Sequence, residues 1–271
     1  MIETDKMKKM TDKFPVYGVI PDVACHFYSK TRWQGTSVRL PHEVPLKVYV
    51  NQQELLTIMC TPTRLDCLVV GFLYSEGIIT DLSQVVDIDI GDDLTTATVR
   101  LTDTGYRVPT TRTRTPTGIS FATRLPDPEI DSALVVTPRE ILALMRKLRR
   151  QQTMFPETGG THCSALASRK QIMIAAEDIG RHNTFDKLLG ECMLRGVSVR
   201  DHILLTTGRI SSEMLLKAAK IQAPIVVTKA AVTERAVRLA REFNITIVGY
   251  ARTSRLSVFS GETRIDGIGN R

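Results

Sequence analysis

The stretch Thr158-Gly159-Gly160-Thr161-His162-Cys163, then a short apolar segment, then Glu177-Asp178-Ile179-Gly180-Arg181-His182-Asn183-Thr184-Phe185-Asp186-Lys187 decides how the C-terminal half of this chain is read. Apolar residues recur at Phe185, Leu188, Leu189, Cys192 and Met193, which is helical spacing. Gly180 to Asn183 therefore form the opening turn of an amphipathic helix. Free backbone N–H groups and the positive end of the helix dipole favour anions at such a turn, and Arg181 adds a forked donor. A second turn of similar make-up, Thr206-Thr207-Gly208-Arg209-Ile210-Ser211-Ser212-Glu213, follows a strand-like run and opens another helix. Two strand-to-helix junctions, each with a glycine and an arginine, point to a polyanion site. They do not name the ligand.

Outward from this stretch, strand-like and helical segments alternate. Strands are predicted at Gln171–Ala175, His202–Thr206, Ile225–Thr228 and Ile245–Tyr250, with a last one from Arg255 to Ser260. Helices are predicted over 180–195, 211–222 and 233–243. Such β-α alternation predicts a mostly parallel sheet with helices on its faces. Upstream, Thr137-Pro138-Arg139-Glu140 combines a threonine N-cap, proline at the first helical position and glutamate two residues later, a capping box. Ile141, Leu142, Met145 and Leu148 give that helix its buried stripe.

Residues 15–110 read as mostly β. Val44, Leu46, Val48 and Val50 alternate, Asn51-Gln52-Gln53-Glu54 reads as a hairpin turn before Leu55 to Cys60, and strand-like runs follow at Val85–Ile90 and Ala97–Leu101. One helix interrupts them, with Leu65, Leu68, Val69, Phe72 and Leu73 at helical spacing and an end near Gly77. Between the halves, Thr, Arg and Pro dominate, as in Arg112-Thr113-Arg114-Thr115-Pro116-Thr117-Gly118. The expected organisation is a disordered tail at 1–14, a β-rich domain at 15–110, a mobile loop at 111–132 and an α/β domain at 133–271.

The 271 residues carry 42% hydrophobic and 24% charged side chains, ordinary for a globular protein. No apolar run approaches the roughly 20 residues of a membrane span, and Met1 to Phe14 has no signal-like apolar core. A cytoplasmic protein without a membrane partner is the expectation. Five cysteines without regular spacing, and no CxxC, argue against a disulfide framework and against structural zinc, so no metal is expected. The net charge of +7 fits an anionic ligand, but no basic run with interleaved aromatics points to nucleic acid. Neither a Ser-His-Asp order nor paired carboxylates mark a hydrolase.

From about Pro41 onward the chain resembles the formate dehydrogenase accessory sulfurtransferases, the FdhD/NarQ-type family. The matching segments are Glu43-Val44-Pro45-Leu46 with Val50-Asn51, Gly71-Phe72-Leu73-Tyr74-Ser75-Glu76-Gly77-Ile78-Ile79 and Thr158-Gly159-Gly160-Thr161-His162. They continue with Glu177 through Asn183 to Asp186-Lys187, Gly208-Arg209-Ile210-Ser211-Ser212-Glu213-Met214, Val248-Gly249-Tyr250-Ala251-Arg252, and Arg255 to Ser260. The resemblance implies an α+β protein whose C-terminal domain is a three-layer, cytidine-deaminase-like α/β fold without zinc. It also implies a homodimer that takes sulfur from a cysteine desulfurase and passes it to the molybdenum bis(molybdopterin guanine dinucleotide) of formate dehydrogenase.

On this resemblance Arg181, His182, Asn183, Gly208 and Arg209 contact the cofactor, and the terminal run Leu256, Ser257, Val258, Phe259, Ser260 and Gly261 lies against it. The departure is in the sulfur-carrying CxxC, which the family places after a Thr-Gly pair. Here Thr117-Gly118 is followed by Ile119-Ser120-Phe121-Ala122, and both cysteines are absent. Cys163 is the one cysteine beside a matched motif, and a protonated His162 next to it would lower its thiol pKa, which makes the two the candidate catalytic residues. Two readings stay open. In one the chain remains a sulfurtransferase with a relocated thiol; in the other it is a cofactor-binding carrier or chaperone without sulfur transfer.

Overall fold

A computed structural model describes residues 18–106, 113–115, 118–120 and 130–268. The tail at 1–14 and most of the expected loop at 111–132 lie outside the described residues. Within that loop, β7 (Thr113–Thr115) and β8 (Gly118–Ser120) pair as a short antiparallel hairpin.

The chain is a mixed α/β protein with two principal sheets. The first has the order β4-β3-β6-β5, built from β3 (Val44–Val50), β4 (Gln53–Cys60), β5 (Val85–Ile90) and β6 (Thr96–Leu101). The alternation in β3 buries Val44, Leu46, Val48 and Val50 on one face, as strand geometry requires. Its hairpin to β4 turns on Asn51 and Gln52, both at positive φ (46° and 68°), the conformation that matches strand twist in a two-residue turn. Helix α1 (Leu65–Ser75) covers this sheet and is buried along almost its whole length. An amphipathic helix would leave one side wet; α1 does not, because a second helix covers its back.

The second sheet has the order β10-β9-β11-β12-β13-β14. It comprises β9 (His162–Ala167), β10 (Ile172–Asp178), β11 (Ile203–Thr206), β12 (Ile225–Thr228), β13 (Thr246–Arg252) and β14 (Arg255–Ser260). Helices α4 (Arg181–Leu194), α5 (Ser212–Lys220) and α6 (Glu234–Glu242) cover one face. Helix α2 (Pro138–Gln151) covers the other, capped by Thr137 and Glu140 as its sequence predicts, and a one-turn helix α3 (Phe155–Thr158) follows it. The expected mostly parallel sheet is corrected here. Only β11–β12 and β12–β13 are parallel, because β9 joins β10 and β13 joins β14 through hairpins. The extra antiparallel strand is the run Cys163 to Ala167, buried on both faces and so without a readable period.

The two sheets meet through α1 and α4. A Cβ built on Gly71 would lie 1.8 Å from the Asp186 carbonyl oxygen, and one on Gly190 would lie 1.9 Å from that of Cys67. The helices therefore touch backbone to backbone. Ahead of both sheets, β1 (Val19–Ser29) and β2 (Arg32–Pro41) form a separate, largely exposed ribbon. No described helix is long and apolar enough to cross a membrane.

Candidate functional site

Helix α4 starts where β10 ends, and the turn is fixed by Asp178. This carboxylate is fully buried and accepts from the Gly180 N–H and the Asn183 amide through one oxygen, each at 2.8 Å. Its other oxygen takes the Thr61 N–H and hydroxyl at 3.0 and 2.9 Å and the Lys187 ammonium at 2.6 Å. Lys187 is also fully buried and donates to the Thr61 carbonyl and to the Thr61 and Thr63 hydroxyls. A buried ion pair is retained at low cost only when its remaining polar valences are met, and here they are. The second acid of the motif, Glu177, gathers the N–H groups of Thr153, Met154 and Phe155, which pins the segment after α2.

Asp186 is buried as well. It pairs with Lys217 of α5 at 2.6 Å and accepts from the Ser75 hydroxyl of α1 at 2.8 Å. Burial pushes its carboxyl pKa up, against the opposing pull of Lys217. Thus Asp178, Asp186 and Lys187 join α4 to the first sheet and to α5. They belong to the scaffold beneath the site rather than to its surface.

Above that scaffold the two junctions meet. A Cβ on Gly208 would fall 2.8 Å from the Arg181 Cβ, so only glycine lets the second junction approach the first. Thr228 donates to the Gly208 carbonyl at 2.6 Å, and the Gly208 N–H reaches the Thr206 hydroxyl at 3.1 Å. Arg209 is exposed beside this turn. Burial, with help from the Arg209 charge, lowers the Arg181 pKa against the opposing pull of Glu213. Three polar atoms at these two helix starts are buried and without a hydrogen-bond partner among the described residues: Arg181 Nε, His182 Nε2 and Ser211 Oγ. Buried polar atoms are rarely left so, and a group of them in a turn between two helix starts has unmet capacity for a ligand or water.

His182 is held neutral. Burial drives its pKa down to about 3, and the Lys217 and Arg181 charges add to the effect. Its Nε2 lies 3.6 Å from a Glu213 oxygen, so this is a neutral ring beside a carboxylate rather than an ion pair. Asn183 stands at the site's edge with its amide committed to Asp178 and to the Met59 carbonyl, each at 2.8 Å. It positions the turn.

The expected His162–Cys163 pair does not form. Successive residues of a strand point to opposite faces, so in β9 Cys163 enters the core beneath α2 while His162 faces Thr207 and Arg181. Cys163 has no exposed surface, and burial, aided by Glu177, pushes its thiol up to about 12. Burial and the Arg181 and Lys229 charges lower the His162 pKa, so it supplies no cation to stabilise a thiolate. The reactive-thiol expectation for Cys163 is thereby corrected. Cys60 and Cys67 are also buried, with thiols raised to about 12, and Cys192 to about 11. Cys25, on β1, is the one cysteine that is not buried.

The terminal run divides in two. Leu256 and Ser257 open on a cavity of about 260 Å³ with Tyr250, Arg252 and Arg255. Val258 and Phe259 pack against opposite faces of the sheet. Ser260 is buried, donating to the Ile245 carbonyl at 2.8 Å, and the Gly261 carbonyl accepts from Thr246 at 2.9 Å. Strand β14 runs antiparallel to β13, so its start lies near the junction edge and its end at the opposite edge. Ser260 and Gly261 thus stand away from Arg181.

Comparison with known proteins agrees with the motifs. The sequence profile of the FdhD/NarQ family matches residues 41–266. A sulfur carrier protein FdhD of Halalkalibacterium halodurans is 39% identical over 238 residues, 84% of this chain and 88% of the relative. Its Bacillus subtilis counterpart is 37% identical over 236 residues, 84% of this chain and 90% of the relative. A crystal structure from Desulfotalea psychrophila, described as a formate dehydrogenase accessory protein, superimposes with a TM-score of 0.75 at 24% identity, covering 91% of this chain and 99% of that one.

Proposed function

This chain belongs to the FdhD/NarQ family, and we propose that it serves formate dehydrogenase maturation, handling sulfur and binding the enzyme's anionic cofactor at the paired junctions. The observation that carries the binding reading is that Arg181 Nε, His182 Nε2 and Ser211 Oγ are buried and unpartnered among the described residues, at two helix starts brought close by Gly208. Helix N-termini with a guanidinium suit a pyrophosphate, and the cargo the family resemblance implies is a molybdenum bis(molybdopterin guanine dinucleotide). Arg181 and Arg209 would hold its phosphates. A neutral His182 and Ser211 would offer hydrogen bonds without adding charge. On the same reading the protein works in the cytoplasm as a homodimer, its second sheet is of deaminase-like type, and a cysteine desulfurase is the sulfur donor.

Sulfur loading requires a thiolate that attacks the terminal sulfur of a desulfurase persulfide and releases the desulfurase thiolate. Four of the five cysteines are buried with raised thiol pKa values, so a persulfide formed on the native fold is carried by Cys25. The second reading, a carrier or chaperone without sulfur transfer, is favoured by the absent CxxC and the burial of Cys163. Intact-mass analysis after incubation with cysteine and a desulfurase separates them. A one-sulfur adduct lost in Cys25→Ser and kept in Cys163→Ala supports sulfur carriage. No adduct on any form, with the desulfurase active on a control acceptor, leaves the binding reading alone.

A further inference from the structure

The contacts that anchor the ribbon of β1 and β2 to the rest of the described chain lie at its base. The His42 N–H donates to the Gly18 carbonyl at 2.9 Å, Arg39 pairs with Glu157 of α3 at 2.7 Å, and a Cβ on Gly160 would meet Pro41 at 2.8 Å. From there the strands run out to a turn at Lys30 and Thr31. Directly opposed residues of a ribbon share a face, and every second residue returns to it. The register sets Val23 against Val38, Cys25 against Thr36 and Phe27 against Gln34 on one face. A bulge between Ile20 and Val23, with Asp22 at φ 57°, brings Ile20 back to that face opposite Leu40. One face therefore carries an apolar stripe of Ile20, Leu40, Val23, Val38, Cys25 and Phe27. It is open to water: Phe27 is 57% exposed, Leu40 41%, Val38 40% and Ile20 38%. Scattered apolar residues on a surface need no explanation, but a contiguous row on a ribbon that joins no hydrophobic core marks a contact surface.

Two features say what the stripe contacts. Cys25, the cysteine that is not buried, lies within it between Val23 and Phe27. Sulfur passes only between atoms in contact, so a protein that delivers it to Cys25 must cover the residues on either side. The second feature is charge. From Val23 to Val38 there is no aspartate or glutamate, while Lys30 and Arg32 stand at the tip. A partner whose apolar patch is bordered by carboxylates complements this face. Size separates such a partner from a second copy of the chain. Strand rise and spacing make the stripe about 20 Å long and about 10 Å wide, roughly 200 Å². A stable dimer buries about 800 Å² on each copy, whereas a contact as small as the stripe is transient, as a handover requires.

We propose that this face of the ribbon is the surface on which a persulfide-bearing donor protein, apolar at its contact and acidic at its rim, docks to load Cys25. The inference rests on the sulfur-carrying reading above and gives it a docking surface. In the step, the Cys25 thiolate attacks the outer sulfur of the donor's Cys–S–SH and the donor's S–S bond breaks. The donor departs as its thiolate, and Cys25 becomes Cys–S–SH. Sulfur and its proton move together, and no oxidant or reductant is consumed.

The test is the initial rate of the one-sulfur mass gain on the full chain, with Cys25→Ser as the blank. Sulfur comes from a cysteine desulfurase with cysteine or, separately, from glutathione persulfide, which is too small to need the stripe. Phe27→Ser and Val38→Ser thin the stripe; Trp33→Ser, on the opposite face beside Tyr28, controls for ribbon integrity. Each stripe variant should slow loading from the desulfurase about tenfold, with glutathione persulfide loading and thermal unfolding unchanged and Trp33→Ser at the wild-type rate. Lys30→Glu/Arg32→Glu should slow it too, as should added salt with the wild type. Equal desulfurase rates in the wild type and both stripe variants overturn the surface, while sulfur on Cys25 keeps the sulfur reading standing. Equal slowing in Trp33→Ser overturns it as well, since ribbon stability then explains the effect. So does loading of the wild type by glutathione persulfide alone, with the desulfurase active on a control acceptor. A smaller species in sedimentation of Phe27→Ser than of the wild type gives the stripe to a second copy instead. No adduct from either donor removes the sulfur reading and this surface with it.

Discussion

Replacing Gly71 with alanine should cost this protein far more than a helix-interior Gly→Ala change normally does. In an isolated helix the change gains about 1 kcal/mol from propensity. Here the new methyl would sit 1.8 Å from the Asp186 carbonyl oxygen, 2.6 Å from its carbon and 2.9 Å from the Gly190 nitrogen, all backbone atoms that no rotamer change can move. Ordinary contact begins near 3.4 Å, so α1 and α4 must separate by about 1.5 Å, and gaps of that size forfeit much of the dispersion energy across an interface. Neither helix can retreat freely, because α1 lies on the first sheet's core and α4 on the second's. Overpacking of this severity costs about 3 kcal/mol or more, which outweighs the propensity gain. Gly190→Ala meets the Cys67 carbonyl at 1.9 Å and should cost a similar amount. Once one methyl has parted the helices the second is nearly free, so the double variant should lose little more than either single one. Urea unfolding followed by far-UV circular dichroism measures all three. A loss below 1 kcal/mol for Gly71→Ala, or two large losses that simply add, would refute the backbone-to-backbone contact.

Other consequences can be checked with the same protein. Lys187→Met leaves the buried Asp178 carboxylate with four hydrogen-bond donors but no countercharge, so it should destabilise by about 3 kcal/mol, the low end for a broken buried pair; a change under 1 kcal/mol in urea unfolding contradicts that. His182 has a folded pKa below its unfolded one, so the unfolded state binds the extra proton. Its neutral burial therefore costs nothing above pH 6.5 and destabilises progressively as pH falls toward 3, by about 2 kcal/mol at pH 5, and His182→Gln should lose that part of the acid sensitivity. Equal pH dependence of the two proteins would show that the ring titrates normally. Thiol titration of the native chain at pH 7.5 should give fast reaction at Cys25 alone and release the other four only on denaturation; fast modification of Cys163 would place it outside the core.

The elements with local signals were legible in the sequence. The capping box at Thr137, the alternation of Val44 to Val50 and the α4 opening at Gly180 each follow from contacts within a few residues, and each is where periodicity and capping put it. What could not be read depends on residues distant in sequence. The run Cys163 to Ala167 is buried on both faces, so no alternation marks it as a strand, and its neighbours β10 and β11 decide its direction. Asp186 and Lys187 look like surface charges on a helix until Ser75, Thr61 and Lys217 close over them. His162 and Cys163 are adjacent in sequence, which favoured a reactive pair, but strand geometry parts them. The paired junctions were visible as two separate turns; that Gly208 lies against Arg181 was not.

If the proposed cleft at Arg181 and Arg209 serves formate dehydrogenase maturation, cells should need both arginines for an active enzyme. The most direct measurement is formate dehydrogenase activity in cells deleted for their own accessory protein and supplied with this chain, its Arg181→Ala/Arg209→Ala variant, or the Bacillus subtilis relative. Activity should be restored by the chain and lost in the double variant, with both proteins folded and equally abundant. Restoration by the relative but not by this chain, or by the double variant as well as by the wild type, would contradict it.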